Sequence, residues 1–178
     1  MCKFILLTAL GLVALATPGI DAQRAGAAAG PRMTIETTKG TIEIQFFAAD
    51  APKTVAQIVD LAKRNFYRGQ RIHRVERSLV QFGDPASRDV SRQAWWGRSG
   101  SGNVVGVAEF SKRSHVRGTV SMAYGSRPEN ADSQMFILKT PTPAYNGKYV
   151  IIGQVVSGMD VVDQLEVRDV LRQVRITE

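Results

Sequence analysis

Arg74 and Gln81 are the polar side chains best placed to do chemistry in this sequence, because each sits inside a short apolar-patterned run. Ile72 to Val75 and Leu79 to Phe82 flank the polar stretch Glu76-Arg77-Ser78 and stop at Gly83-Asp84-Pro85, the pattern of two strand pieces joined by a tight bend. An arginine drawn out of water needs partners or a task, since desolvating the charge alone is costly. A structural ion pair or a solvated edge meets that need. So does a site in which the guanidinium, always charged and rich in N–H donors, acts as a fixed hydrogen-bond donor.

Other constellations are thin. The two histidines, His73 and His115, lie far apart and the one cysteine is Cys2, so no zinc-binding set and no cofactor is expected. Ser99-Gly100-Ser101-Gly102 has the composition of a phosphate-cradling loop but lacks the Gly-Lys-Ser/Thr ending and the strand-to-helix setting; it reads as a flexible loop. No Ser-His-Asp order with a nucleophile signature is present. Trp95 and Trp96, in an otherwise polar loop, are expected to pack beneath it; the alternative is that they extend a binding groove.

The elements that must position Arg74 and Gln81 follow from periodicity. Met33, Ile35 and Thr37, then Ile42, Ile44 and Phe46, alternate with polar residues about Lys39-Gly40, which predicts a β-hairpin. Asp50 is expected to cap a helix that opens with Pro52, carries Val55, Ile58, Val59, Ala62 and Phe66 on one stripe, and ends at Gly69. Further strands are expected at 119–123, 135–139, 149–156 and 170–176, with a short helix at 159–165. Many short strands and few helices suggest an antiparallel barrel or a sandwich, and periodicity alone does not choose between them. Within 133–139, Gln134 and Phe136 share one face. Arg74 and Gln81, seven apart, would fall on opposite faces of a single strand, so the turn at 76–78 must reset the register if both are to face one groove.

These stretches resemble the cyclophilin family of peptidyl-prolyl isomerases. His73-Arg74-Val75 with Gln81-Phe82-Gly83-Asp84-Pro85 is similar to the family's Phe-His-Arg-(Val/Ile)…Gln-Gly-Gly-Asp. Ala51-Pro52-Lys53-Thr54-Val55, Gly118-Thr119-Val120-Ser121-Met122-Ala123, Asp132-Ser133-Gln134-Met135-Phe136-Ile137 and Asn146-Gly147-Lys148-Tyr149-Val150-Ile151-Ile152-Gly153 follow in the family's order. The resemblance implies a mainly β fold, a closed eight-stranded antiparallel β-barrel capped by two α-helices. It implies catalysis of rotation about X–Pro bonds, with Arg74 as the donor to the twisted imide and Gln81 orienting it. Phe136, Leu79 (with Ser78 and Val80 as the alternatives in the shortened turn) and Tyr145 would form the proline pocket with Met122 behind it, while Ala123, Gln134 and Tyr149 would line the groove. His73 is assigned a structural role. The chain departs from the family in a turn one residue shorter and without Pro-Gly, in Tyr124 and Gly125, in Ala144 where animal members carry Trp, and in Tyr149 in place of His. The shortened turn and Tyr124 motivate a second reading, a non-catalytic proline-peptide-binding module or holdase on the same fold.

Three segments are expected: a signal peptide at 1–22, an Ala/Gly tether at 23–31 and the isomerase domain at 32–178. Lys3, the apolar run from Phe4 to Ala16 and the small residues ending at Ala22 make the signal, too short to span a bilayer, which takes about 20 apolar residues. The partners expected are proline-containing unfolded or newly exported polypeptides, met by a monomer in the periplasm or outside the cell, with no stable membrane insertion after cleavage. The formal charge of +7 is spread along the chain without a basic cluster interleaved with aromatics; it reads as a solvated surface, and no nucleic acid is expected. Because Cys2 would leave with the signal, the mature chain would have neither disulfide nor thiol chemistry. N-terminal sequencing of the protein from its host should begin near Gln23; an intact Met1 on a cytoplasmic protein would refute export.

Overall fold

The computed structural model describes residues 30–178. The signal peptide and most of the tether fall outside that range. Gly30 and Pro31, the last tether residues, do not hang free: the Gln45 side chain donates to the Gly30 carbonyl at 2.5 Å, and the Phe46 N–H donates to Pro31 at 3.0 Å.

Eight strands and two helices follow in order: β1 (Arg32–Thr37), β2 (Thr41–Phe46), α1 (Pro52–Lys63), β3 (Arg74–Val75), β4 (Leu79–Phe82), β5 (Thr119–Met122), β6 (Met135–Leu138), β7 (Ile151–Ser157), α2 (Met159–Gln164) and β8 (Leu171–Thr177). All pair antiparallel in one sheet of order β3-β4-β6-β5-β7-β2-β1-β8. The period-two residues of β1 and β2 bury Met33, Ile35, Thr37, Ile42, Ile44 and Phe46 as expected. They join Val80, Phe82, Val120, Met122, Met135, Ile137 and Ile152 in the main core, each apolar side chain contributing roughly 1.5–3 kcal/mol on full burial.

The sheet is mainly β, eight-stranded and curled, which is the coarser form of the expected barrel. Its edge strands β3 and β8 do not pair as strands. The bridge Arg71–Val170 joins the segments just before them, with Gly69 N–H to Leu171 at 2.7 Å and Ile72 N–H to Asp169 at 2.9 Å. Extended geometry fails there because β3 has only two residues and Arg168 turns left-handed at φ 83.

Helix α1 differs from expectation at both ends. Its N-cap is Ala51, without a side-chain cap, and Asp50 pairs instead with Arg113. The cap comes from a distant loop: the Glu109 carboxylate accepts from the backbone N–H of Lys53 at 3.1 Å and of Thr54 at 2.9 Å, and from the Thr54 hydroxyl at 2.8 Å. The first-turn donors of a helix have no internal partner, and a carboxylate there also meets the positive end of the dipole. At the other end the helix stops at Lys63, because Asn65 takes φ 59, a conformation asparagine tolerates better than most residues, and Phe66 and Gly69 lie beyond it.

Glu109 ties loop to helix in a pH-dependent way. Burial alone would raise its carboxyl pKa, but the hydrogen bonds from Thr54 and Lys53 outweigh burial and hold it below the usual carboxylate range. A lowered folded-state pKa adds stability above the unfolded value and loses it as pH falls through the folded one. Glu109→Ala should cost about 1 kcal/mol at pH 7, typical of a lost cap, or about 3 °C in Tm for a chain of this size. Thermal melts from pH 7 to 3 should show the gap from wild type closing in acid.

Candidate active site

Four strands place one row of side chains on the outer face of the sheet. Arg74 of β3 lies opposite Gln81 of β4, and Gln81 opposite Phe136 of β6, which in turn faces Ser121 of β5. With strands about 4.8 Å apart, Arg74 and Phe136 have their backbones roughly 10 Å from each other. The inward row, Val75–Val80–Ile137–Val120, carries the core. The turn at 76–78 resets the register: β3 and β4 form a hairpin closed by the Glu76 N–H to Leu79 bond at 2.8 Å, and cross-strand pairing brings residues seven apart onto one face.

Hydrogen bonds run along this row and beyond it. Arg74 Nη1 donates to Gln81 Oε1 at 3.0 Å, Gln81 Nε2 to Gln134 Oε1 at 2.9 Å, and Gln134 Nε2 to the Ser99 carbonyl at 2.8 Å. On its other edge Arg74 gives Nε–H to Glu76 Oε1 at 2.8 Å, with Nη2 2.6 Å from the same oxygen. The Arg74 side chain remains 49% exposed. Gln81 is 8% exposed, so both ends of its amide are spoken for inside the protein.

Beside the row sits a second, smaller apolar cluster, separate from the core. Leu79, Phe136 and Leu138 are buried in it, and Ala123, Tyr145 and Tyr149 pack against them. Phe136 meets Tyr145 edge-on at 5.9 Å and Tyr149 at 5.3 Å, and Tyr124 lies against Tyr149 at 4.9 Å. Burial and the phenols of Tyr124 and Tyr145 push the Tyr149 hydroxyl pKa up, while Arg74 pulls it down. Tyr145 is held by a turn at Pro143–Tyr145 that His115 anchors: its backbone N–H and ring Nδ1 both approach Asn146 Oδ1, at 2.9 and 3.0 Å, and its ring stands edge-on to Tyr145. Ala144 is exposed on the same turn.

Met122 does not belong with these residues. It is fully buried in the main core, paired with Met135 on the inner face, because it is one residue from the outward Ser121 and Ala123 and alternation sends it the other way. The remaining expected residues, Arg74, Leu79, Gln81, Ala123, Gln134, Phe136, Tyr145 and Tyr149, converge on the outer face.

The loop at 97–102 is fastened rather than free. Asp84, fully buried, accepts from Ala86 N–H at 2.8 Å, Gly97 N–H at 2.5 Å and the Ser99 hydroxyl. Asp132 accepts from the backbone N–H of Ser101 at 3.0 Å and of Gly102 at 2.9 Å, and from the Ser101 hydroxyl. Gly100 is required there, since a Cβ would stand 2.5 Å from the Asp132 carboxylate. Gly83, at φ 105, lets β4 pass β6, where a Cβ would lie 2.3 Å from the Ser133 carbonyl. The loop walls a cavity of about 340 Å³, shared with Gln81, Ala123, Tyr124 and Gln134.

Trp95 is not packed beneath its loop: it is 58% exposed with the Arg98 guanidinium 5.0 Å over its ring. Trp96 is half-buried, its indole N–H donating to Asp89 at 3.0 Å. The His73 ring is largely buried with no hydrogen-bond partner at either nitrogen among the described residues, and burial lowers its pKa, so it stays neutral filler behind Gly97. No three His, Cys, Asp or Glu side chains among the described residues lie close enough to hold a metal ion.

Residues 32–178 match the family model described as cyclophilin type peptidyl-prolyl cis-trans isomerase/CLD. This chain belongs to the cyclophilin-type peptidyl-prolyl cis-trans isomerases. A probable peptidyl-prolyl cis-trans isomerase of Brucella abortus is 37% identical over 165 residues, 89% of this chain and 84% of the relative. The Helicobacter pylori peptidyl-prolyl cis-trans isomerase is 32% identical, covering 79% of this chain and 83% of its own length. Among solved structures, a Cryptosporidium parvum cyclophilin-type isomerase crystallised in the presence of the dipeptide Ala-Pro shares the fold at TM-score 0.70 and 22% identity, over 83% of this chain and 99% of that one. A cyclophilin from Hirschia baltica aligns at TM-score 0.65 over 81% of this chain and 73% of that one.

Glu76 and His115 help build the site from outside the motif stretches, and Asp84, Asp132 and Asn146 lie within those stretches but carried no expected role in the site. Glu76 alone had a local signal, standing two residues from Arg74 just past the end of β3. Removing one of the two carboxylates should show what the fastening does. Asp132→Ala should speed amide exchange of Ser101 and Gly102 at least about tenfold, the loss of roughly 1.4 kcal/mol in local stability. Exchange in α1 and in β1 should not change.

Proposed function

We propose that this groove accelerates cis–trans rotation about X–Pro bonds, with Arg74 as the donor to the twisted imide. The row Arg74–Gln81–Phe136 carries this reading, because it sets a charged donor beside an aromatic pocket on one outward face. No bond is broken in the reaction, and no nucleophile or cofactor is needed. A peptide bond resists rotation by ~18–20 kcal/mol, yet the two X–Pro isomers differ by only about 0.5–1 kcal/mol. A catalyst has only to bind the twisted form better than either planar one. In that form the prolyl nitrogen recovers a lone pair and accepts a hydrogen bond. Phe136, Leu79 and Tyr145 grip the proline ring, Ala123, Gln134 and Tyr149 line the groove for the flanking residues, and Gln81 aims Arg74. Met122 acts only through the core.

The domain spans 32–178 behind a cleaved signal and a short tether, and works as a monomer on proline-containing unfolded or newly exported chains in the periplasm or outside the cell, without binding nucleic acid. The pattern at residues 1–22 supports export, and the Arg71–Val170 bridge supports closure of the sheet into a barrel.

Catalysis of a proline-containing test peptide by the purified domain separates this reading from a binding module on the same fold. Arg74→Ala should lower kcat/KM by about 10²–10³, the usual loss on removing one preorganised donor, with little change in Tm because the side chain is half exposed. Near-wild-type kcat/KM in that variant would sink the donor assignment. Phe136→Ala should weaken peptide binding and cost about 3–5 kcal/mol of stability, as truncating a buried Phe does.

A further inference from the structure

The Arg74 guanidinium has two anchors, and the function proposed above uses only one of them. Of its five N–H donors, Nε–H and one on Nη2 face a single oxygen of Glu76, at 2.8 and 2.6 Å, and one on Nη1 reaches Gln81 at 3.0 Å. Two N–H groups remain, one on each terminal nitrogen. Gln81 alone would leave a half-exposed arginine free to swing about one hydrogen bond. Glu76 takes the Nε edge and removes that freedom. Its own backbone is fixed, because its N–H closes the β3–β4 hairpin on Leu79 at 2.8 Å.

We infer that Glu76 is a positioning residue for the isomerase reaction: its carboxylate, lent by the shortened turn, holds Arg74 with its two remaining donors turned toward the substrate. This rests on Arg74 being the catalytic donor. Arginine has much rotamer freedom to lose, and a donor already ordered in the free enzyme need not be ordered in the transition state. The carboxylate serves because it stands two residues along, just past the end of β3, where no other element has to move to supply it. Glu76 is itself exposed and contacts Arg74 at the hairpin tip, away from the core, so its removal leaves the barrel unchanged. An exposed pair of this kind has a modest effect, about two- to fivefold in rate.

The test measures kcat and KM on a proline-containing peptide for wild type, Glu76→Ala, Glu76→Gln, Arg74→Ala and the double variant Arg74→Ala/Glu76→Ala, with the Arg74 side-chain Nε–H followed by NMR. Glu76→Ala should lower kcat about two- to fivefold while KM stays nearly unchanged, the split expected when an interaction matters mainly in the transition state. Glu76→Gln, which keeps an acceptor oxygen without the charge, should recover part of the loss. In the Arg74→Ala background, Glu76→Ala should cost less than about twofold more, because residues acting through one another are not additive. The Nε–H signal should shift and exchange faster in Glu76→Ala, with backbone amides outside the hairpin unmoved. Unchanged kcat in Glu76→Ala overturns the inference, and raised kcat would show the carboxylate competing with substrate for the arginine. Equal losses in both backgrounds would place the action of Glu76 elsewhere. Full activity in Arg74→Ala instead sinks the donor assignment itself, and the Nε–H signal then records a structural pair only.

Discussion

The β3–β4 register governs everything outside the core. With Arg74 opposite Gln81, every second residue of both strands faces outward, and β6 continues the row with Phe136. A slip by one residue would turn Arg74 and Gln81 toward Met135 and Ile137 and push Val75 and Val80 into water. Such a slip is suppressed because the inner face is fully committed: Val80, Ile137 and Val120 are each 0% exposed. The hairpin itself adds few ties, since β3 is two residues long and the Glu76 N–H to Leu79 bond closes its tip. Packing on one face of the sheet therefore fixes the geometry on the other.

Electrostatics at the site operate by arrangement more than by strength. Arg74 is half in water, where a single ion pair is worth at most about 1 kcal/mol. Of the amides behind it Gln81 is buried and Gln134 half-buried, and each donates onward until the relay reaches the Ser99 carbonyl. Ser99 is itself bound to Asp84, a carboxylate wholly inside the protein and satisfied by three donors. Buried polar groups cost little when every partner is present and much when one is missing. The chain from hairpin to loop is thus rigid at its protein end and open at its solvent end, where a peptide must arrive.

Much of the scaffold was legible in residue order. Strict alternation in 33–46 marked a hairpin, and the three-four spacing from Val55 to Ala62 marked the α1 stripe. What stayed hidden was long-range: Glu109 caps a helix more than fifty residues earlier, and no local rule links it to Thr54. Gly69 looked like a helix end, but Asn65 turned the chain first. Ser99 to Gly102 looked loose because small residues carry no side-chain signal; the fastening comes from Asp84 and Asp132, which are distant in sequence. Met122 was carried in by its motif, although parity with Ala123 already argued against it. Trp95 followed the average burial of tryptophan, and the arginine beside it supplies a cation–π partner in the open instead.

Two apolar clusters lie back to back with only the strand backbones between them. Inheritance can therefore treat them separately. Met33, Ile44 and Ile152 lie wholly inside the main cluster, whereas Tyr145 and Tyr149 pack on the outer one, and Tyr124 touches both the main cluster and Tyr149. Exchange of Tyr145 or Tyr149 for another aromatic residue changes the outer cluster and leaves the packing on the inner face of the sheet alone. The fold is in that sense a chassis, with its wearing parts mounted on the outside.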